Sequence, residues 1–273
     1  MSEKFSVCMS VYKNDNAEDF YAAVMSVYNQ TCPPDEIILV VDGPIPTVLK
    51  HTIQDLKDKL DILKVIKLEK NMGHAIARQT GLDAAKNKIC AVMDSDDLSL
   101  PDRFEKQLRI FENDSKVSVV GGLIYEFIHN PERVVGTRVV PENDENIKLY
   151  MKSRCPMNLV TVMLKKDDVM AVGGYQDWYC EEDYYLWIRL ALAGYTFYNI
   201  QENLVYVRVG EEMYQRRGGR KYFQSEARLQ KYMLEHKLIS LPKYLYNVII
   251  RWIIQVVLPN RIRGWVFRTF ARQ

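Results

Sequence analysis

The chain has 273 residues, 48% hydrophobic and 26% charged, which excludes a disordered, collagen-like or disulfide-dense protein and allows one large domain, or one domain with a small appendage. Its 37 basic and 35 acidic side chains give a net charge of +2, which alone implies no polyanionic partner. The charge is uneven, however: no Asp or Glu follows Glu235, whereas Lys237, Lys243, Arg251, Arg261, Arg263, Arg268 and Arg272 do, so an acidic body carries a basic tail.

In chain order, residues 5–12 form a short apolar stretch that predicts a strand, and residues 17–29 show helical spacing through Phe20, Ala23, Val24, Val27 and Tyr28. Pro33-Pro34 interrupts. Residues 36–41 are a continuous apolar run rich in β-branched residues, the pattern of a central parallel strand buried on both faces. Helix 47–60, strand 63–68, helix 75–85 and strand 88–93 follow. Pro101 is predicted to open a helix running to Phe111, and residues 117–120 a strand ended by Gly121-Gly122. Strands separated by helices predict βαβ units and a doubly wound α/β sheet, Rossmann-like and mostly parallel. Ligands of such sheets bind beyond the carboxyl ends of the strands.

The second half is less regular: strand 133–140, helix 145–152, strand 160–164, a flexible Gly173-Gly174, helix 183–193 ending at Gly194, strands 196–200 and 204–208, then helices to the end. The expected division is a catalytic unit over 1–209 and a C-terminal basic loop with amphipathic helices over 210–273. Five widely spaced cysteines (Cys8, Cys32, Cys90, Cys155, Cys180) without a Cys-x-x-Cys pair read as reduced thiols. The four histidines are scattered, so no zinc site is visible. No signal peptide and no apolar run near the ~20 residues of a membrane span stand out, so the chain is expected on the cytosolic side of what it touches.

Asp94-Ser95-Asp96-Asp97 directly follows an apolar strand. Three carboxylates within four residues repel one another, and a hard cation such as Mg²⁺ or Mn²⁺ shared with substrate phosphates would offset that repulsion. A solvated turn with a helix cap is the alternative. Asp42-Gly43 ends another strand, where a carboxylate can accept from a ribose or a base; the pair also suits a plain turn. Asn71-Met72-Gly73 with Arg78 could meet a diphosphate, or could be a helix start with a surface arginine. No Gly-x-Gly-x-x-Gly and no P-loop signature occurs, so dinucleotide dehydrogenase and P-loop readings are unsupported. Glu181-Glu182-Asp183 beside Tyr184-Tyr185 offers a partly desolvated general base, or a favourable acidic first helical turn. Arg208, Arg216, Arg217 and Arg220 around Gly218-Gly219 and Tyr214 form either a loop closing over phosphates or a solvated linker. Leu241, Tyr244, Leu245, Val248, Ile249, Trp252, Ile253, Val256 and Val257 repeat with helical spacing up to Pro259, and Ile262, Trp265, Val266 and Phe270 alternate with arginines. That fits an interfacial helix pair on an anionic membrane, a helix packed on the body, or a homodimer contact.

Taken together, the sequence resembles the family 2 inverting glycosyltransferases of GT-A fold, of the kind that build bacterial O-antigen, capsule and exopolysaccharide. The resemblance is carried by 6–12, by 36–43, by Asn71, Gly73, Ala77, Arg78 and Gly81, by Asp94-Ser95-Asp96 with Asp97, Pro101 and Arg103, and by Gly173-Gly174-Tyr175 with Glu182-Asp183 and Leu186-Trp187-Arg189-Leu190. It runs from about residue 4 to 209. Gln79 stands where many members have Asn, and Leu159 where close relatives often have His. The resemblance implies a single displacement on a UDP-sugar. Ser10 and Tyr12 would line the nucleotide pocket, Asp42 would bind uracil, and Asp94 with Ser95 the ribose or base. Asn71, Gly73 and Arg78 would attend the donor, Asp96 would hold the Mn²⁺ or Mg²⁺, and Asp183 would take the acceptor's proton, with Glu182 as the competing base. It also implies a polyprenyl-diphosphate-linked saccharide acceptor. A metal-dependent sugar nucleotidyltransferase and a non-catalytic sugar-nucleotide-binding protein are the rival readings.

Overall fold

The computed structural model describes residues 3–210 and 218–258. The expectations placed on Tyr214, Arg216, Arg217 and on Pro259 and the residues after it lie outside the described residues.

Nine strands form one sheet. β1 (Phe5–Val11), β2 (Glu36–Val41), β3 (Leu63–Lys67) and β4 (Ile89–Met93) alternate with α1 (Ala17–Tyr28), α2 (Thr47–Lys59) and α3 (His74–Ala84). The two-residue β5 (Leu98–Ser99) leads into α4 (Arg103–Asn113), β6 (Val117–Phe127), β7 (Val134–Arg138) and α5 (Asp144–Met151). A 3₁₀ turn (Leu159–Thr161), β8 (Met163–Lys165), α6 (Lys166–Ala171), α7 (Glu182–Leu192) and β9 (Thr196–Arg208) complete the sheet unit, and α8 (Arg220–Glu235) and α9 (Leu241–Trp252) close the described chain. The order across the sheet is β3-β2-β1-β4-β8-β6-β9-β5, with β7 paired to β6. β1, β2, β3 and β4 are mutually parallel, β8 is antiparallel to both β4 and β6, and β6 is parallel to β9. The doubly wound, mostly parallel α/β sheet expected from the sequence is the sheet observed.

Two apolar layers explain the strand sequences. Ile37, Leu39 and Val41 of β2 enter the core shared with α1, α2 and α4, while Ile38 and Val40 enter the core shared with α3, α5 and α7. A strand buried on both faces has no polar side to alternate with, hence the unbroken apolar run. The second core continues into α8 through Leu229 and Met233, so the C-terminal helices pack on the same hydrophobic layer as α7.

Several boundaries differ from expectation, each for a physical reason. The helix predicted from Pro101 begins at Arg103, because the Pro101 carbonyl is engaged by the Thr31 amide at 2.8 Å. Strand β6 runs straight through Gly121-Gly122 to Phe127. A Cβ on Gly121 would lie 2.4 Å from Asn199 Oδ1, and one on Gly122 2.4 Å from Leu204 Cδ1, so the pair marks close packing and not a strand end. The segments predicted as strands 196–200 and 204–208 form the single strand β9, whose pairing with β6 shifts register where the intervening polar residues lie. The strand predicted over 160–164 is displaced: β8 covers Met163–Lys165, and Leu159–Thr161 form a 3₁₀ turn. β5 and α6 were not expected.

Candidate active site

The carboxyl ends of β1, β2 and β4 meet α3 and the start of α7 in one cleft. Asp42, 5% exposed, sits just past β2 and accepts from the Met72 amide at 2.6 Å and the Gly73 amide at 3.0 Å. Asn71 donates its side-chain amide to the Asp42 carbonyl at 3.3 Å. The carboxylate expected to face a base therefore also clamps the loop that begins α3. Gly43 is required beside it: its φ is +86°, and a Cβ would lie 2.4 Å from the Asn71 nitrogen. Gly73, at φ +88°, caps α3.

Arg78, one turn into α3, joins two segments remote in sequence. Its guanidinium donates to Glu182 Oε1 at 2.5 Å and to Asp94 Oδ1 at 3.2 Å. Only 11% of the Arg78 side chain and 12% of the Glu182 side chain reach solvent, against 38% for Asp94. Burial alone would ease the proton off Arg78, but Asp94 and Glu182 outweigh it and hold the cation more firmly than usual. Ser10, Arg78 and Tyr175 line a small crevice at the base of this arrangement.

Around the acidic turn, Ser95 Oγ donates to Asp15 Oδ2 at 2.8 Å, and the same oxygen accepts the Tyr12 amide at 3.0 Å. Ser10, Tyr12, Asp94 and Ser95 are thus gathered where the sequence placed a nucleotide pocket. Asp15 adds a fourth carboxylate that sequence reasoning missed; its place one residue before the helix cap Asn16, just past β1, was the available signal. Asp96 edges the open cleft, yet loss of solvent around its carboxyl, then Asp94 and Asp15, push it up to about 6. Asp97 is buried, accepts the Arg208 amide at 2.7 Å, and is raised further by burial and by Asp96 and Asp94. Arg208 is the last residue of β9 and not part of a mobile basic loop. It donates to Asp19 Oδ1 at 2.6 Å and to the Asp96 carbonyl at 3.3 Å. Fully buried Arg103 supports the turn from below, donating to the Val92 carbonyl at 2.9 Å; burial lowers it to about 9.

This donor set suits a hard divalent cation. It is made of oxygen only, and Asp94 and Asp15 add their repulsion to the desolvation that raises Asp96. Among the described residues no three His, Cys, Asp or Glu side chains converge as a ready cage, so an ion held here would complete its shell with substrate phosphate and water.

Across the cleft, α7 presents Glu182 and Asp183 in different directions. Glu182 faces Arg78, whereas Asp183 turns toward Cys155, whose Sγ lies 3.8 Å from Asp183 Oδ2. Its other oxygen accepts the Tyr184 amide at 2.7 Å. Burial and the neighbouring Glu182 raise the Asp183 carboxyl, opposed by Arg78 and Arg138. Gln79, next to Arg78 on α3, accepts the Tyr175 amide at 2.6 Å and donates to Asp83 at 2.7 Å. Gly174 approaches the same glutamine so closely that a Cβ would lie 2.2 Å from its Oε1. Arg189 closes this turn by donating to the Val172 carbonyl at 2.6 Å and the Gly174 carbonyl at 2.7 Å.

Comparison with known proteins agrees with this geometry. Residues 6–175 match the family described as glycosyl transferase family 2. An uncharacterized glycosyltransferase of Haemophilus influenzae is 36% identical over 99% of this chain and 100% of its own. The UDP-Gal:alpha-D-GlcNAc-diphosphoundecaprenol beta-1,3-galactosyltransferase of Escherichia coli is 34% identical over 99% and 97%. The amylovoran biosynthesis glycosyltransferase AmsE of Erwinia amylovora is 34% identical over 85% and 86%. Among solved structures, S. aureus TarS 1-349 with UDP-GlcNAc superposes with a TM-score of 0.69 at 17% identity, over 97% of this chain and 76% of that one. The mannosyltransferase PcManGT of Pyrobaculum calidifontis with GDP-Man and Mn²⁺ gives 0.66 at 15%, over 96% and 72%.

Proposed function

The chain belongs to glycosyl transferase family 2, with the GT-A fold, and is a glycosyltransferase of polysaccharide biosynthesis; from that premise we propose that it moves a hexose or N-acetylhexosamine from a UDP-sugar to a hydroxyl of a polyprenyl-diphosphate-linked saccharide, with inversion at the anomeric carbon. One observation carries the reading: Arg78 touches Asp94 and Glu182 at once, so the acidic turn after β4 and the start of α7 share a cleft although 88 residues separate these two acids.

Ser10, Tyr12, Asp42, Asn71 and Gly73 would hold the nucleoside, Asp94 and Ser95 its ribose side, and Asp96 a Mn²⁺ or Mg²⁺ ion. That ion supplies charge neutralisation for the departing diphosphate. Arg78 would stabilise the same developing charge. Asp183 takes the proton of the attacking hydroxyl. Electrostatics favours it over Glu182, since Glu182 is in direct contact with a guanidinium, whereas Asp183 feels Arg78 and Arg138 only at longer range and is raised by burial and by Glu182. An α-linked donor then yields a β-linked product. The catalytic unit in this reading is 1–209, and 210–273 keeps it near its lipid-borne acceptor as a peripheral protein of the inner membrane face. Among the described residues no helix is long and apolar enough to cross a membrane.

The test is Asp183→Asn in a UDP-release assay with a panel of UDP-sugars and a lipid-linked acceptor. Transfer should fall about 10²–10⁴-fold while UDP binding by calorimetry stays near wild type. A variant that transfers at the wild-type rate removes Asp183 from the reaction.

A further inference from the structure

Helix α9 is inside out. Asn247, Arg251 and Gln255, spaced i, i+4, i+8 along α9 and the π-helical turn Ile253–Val257 that continues it, point at the protein. Asn247, 2% exposed, donates to the Lys152 carbonyl at 2.8 Å and to Gln230 Oε1 at 2.7 Å. Arg251 lies 3.2 Å from Glu226 Oε2 and donates to the Ser153 carbonyl at 2.6 Å. Gln255, 4% exposed, also bonds Glu226. Tyr244 packs on the second core, but most of the apolar side chains face outward: Leu241, Leu245, Tyr246, Ile249 and Trp252 are 49–60% exposed, and Ile253 joins them. A helix on the surface of a protein surrounded by water shows the opposite pattern, and a contiguous exposed apolar face marks a surface that is covered in use.

We propose that this outward face docks into one leaflet of an anionic bilayer, with α9 lying in the interface. Charge selects lipid as the occupant. No acid follows Glu235 in the sequence, whereas, apart from Arg251 held inward by Glu226, six cations do, Lys237 and Lys243 among the described residues and Arg261, Arg263, Arg268 and Arg272 in the sequence beyond them, an excess that attracts a negatively charged leaflet. The same excess of like charge would face itself across a contact between two copies. Trp252 and Tyr246 supply the aromatic residues that favour the headgroup level.

The inward side of the same helix reaches the acceptor half of the cleft. The carbonyls that Asn247 and Arg251 hold belong to Lys152 and Ser153, two to three residues before Cys155, which touches Asp183. The docked helix thus braces the segment beside the base. This deepens the acceptor reading above, and rests on it only in taking the bilayer to be where the acceptor resides.

The experiment is flotation of the full-length protein with vesicles of phosphatidylcholine alone or with added phosphatidylglycerol, without donor or acceptor. The wild type should float with the anionic vesicles and largely stay down with neutral ones. Leu245→Glu/Ile249→Glu, two exposed positions, should melt like the wild type and bind anionic vesicles at least about tenfold more weakly. Val48→Glu, at another exposed apolar position on α2, should bind as wild type. Wild-type binding by the double variant overturns the proposal. So does a wild type that ignores the vesicles, or light scattering showing that the double variant splits a dimer without changing vesicle binding. UDP release measured with a short-chain soluble acceptor and no vesicles reports the reaction separately: it should be equal in the wild type and the double variant, and its absence in both would sink the reaction while leaving the flotation result intact.

Discussion

Replacing Arg78 with Met keeps most of the side-chain volume and deletes the charge that joins the two halves of the cleft. Glu182, with 12% of its side chain exposed, then loses its cation in a site that water barely enters. Removing one partner of a buried ion pair costs about 3–5 kcal/mol. Asp94, at 38% exposure, is screened by solvent and adds at most ~1 kcal/mol. Taking ~3 kcal/mol as the low end, at about 2–4 °C per kcal/mol for a domain of this size, the melting temperature should drop by roughly 6–12 °C. Transfer should fall about 10²–10³-fold, the usual loss when a group that stabilises transition-state charge is removed. The pH profile separates this from simple damage. Asp183 works as a base only when ionised, so kcat/KM falls as pH drops through its raised pKa. Arg78 lowers that pKa. Without Arg78 the acidic limb should therefore move to higher pH, read from kcat/KM across a pH series by UDP release. Arg78→Lys should recover part of the stability but little of the rate, because one ammonium cannot serve both carboxylates as a fork does. A variant that melts within ~1 kcal/mol of wild type with an unmoved acidic limb would refute the role given to this arginine.

Two further outcomes follow from the geometry. Mn²⁺ with UDP at about 100 times its Kd should stabilise the protein by about 2.7 kcal/mol in a thermal-shift assay. EDTA should remove the metal-dependent part, and Asp96→Ala should be insensitive to Mn²⁺; an Asp96→Ala protein with the full Mn²⁺ response takes Asp96 out of the ion's shell. Gly43→Ala should cost about 1–3 kcal/mol, since it combines a positive φ with a Cβ 2.4 Å from the Asn71 nitrogen, and should weaken UDP binding through the Asn71–Gly73 loop. Calorimetry showing wild-type UDP affinity would separate that loop from the donor site.

Much of the first half was legible in the sequence because β1, β2 and β4 are buried almost throughout on both faces and each helix carries one apolar face, so periodicity separates them. Residues 36–41 are the clearest case. What failed failed for identifiable reasons. Gly121-Gly122 reads as a terminator, yet the crowding of Asn199 and Leu204, some 80 residues away, is what demands glycine. β5 has two residues and no period, and α6 has six. In the site, the motif residues were visible as types and spacings, but the contacts that give them meaning span 104 residues from Arg78 to Glu182 and 80 from Asp15 to Ser95, distances at which a local pattern carries no information. Arg208 was grouped with a basic loop by proximity in sequence, whereas its strand pairing puts it against Asp97 and Asp19. The apolar stripe of α9 was plain; which side of it met the protein was not, because helical spacing fixes a face without saying what lies on it.

Adjacent residues of α3 serve opposite walls of the cleft: Arg78 reaches the acidic turn and α7, and Gln79 clasps the Gly174-Tyr175 turn. Hybrids of this chain with a relative of different donor preference, spliced anywhere between residues 84 and 173, would inherit one side of that clasp from each parent. Specificity swaps within this family should therefore carry α3 and the 173–175 turn across together, and grafts that part them should fail even when every motif is retained.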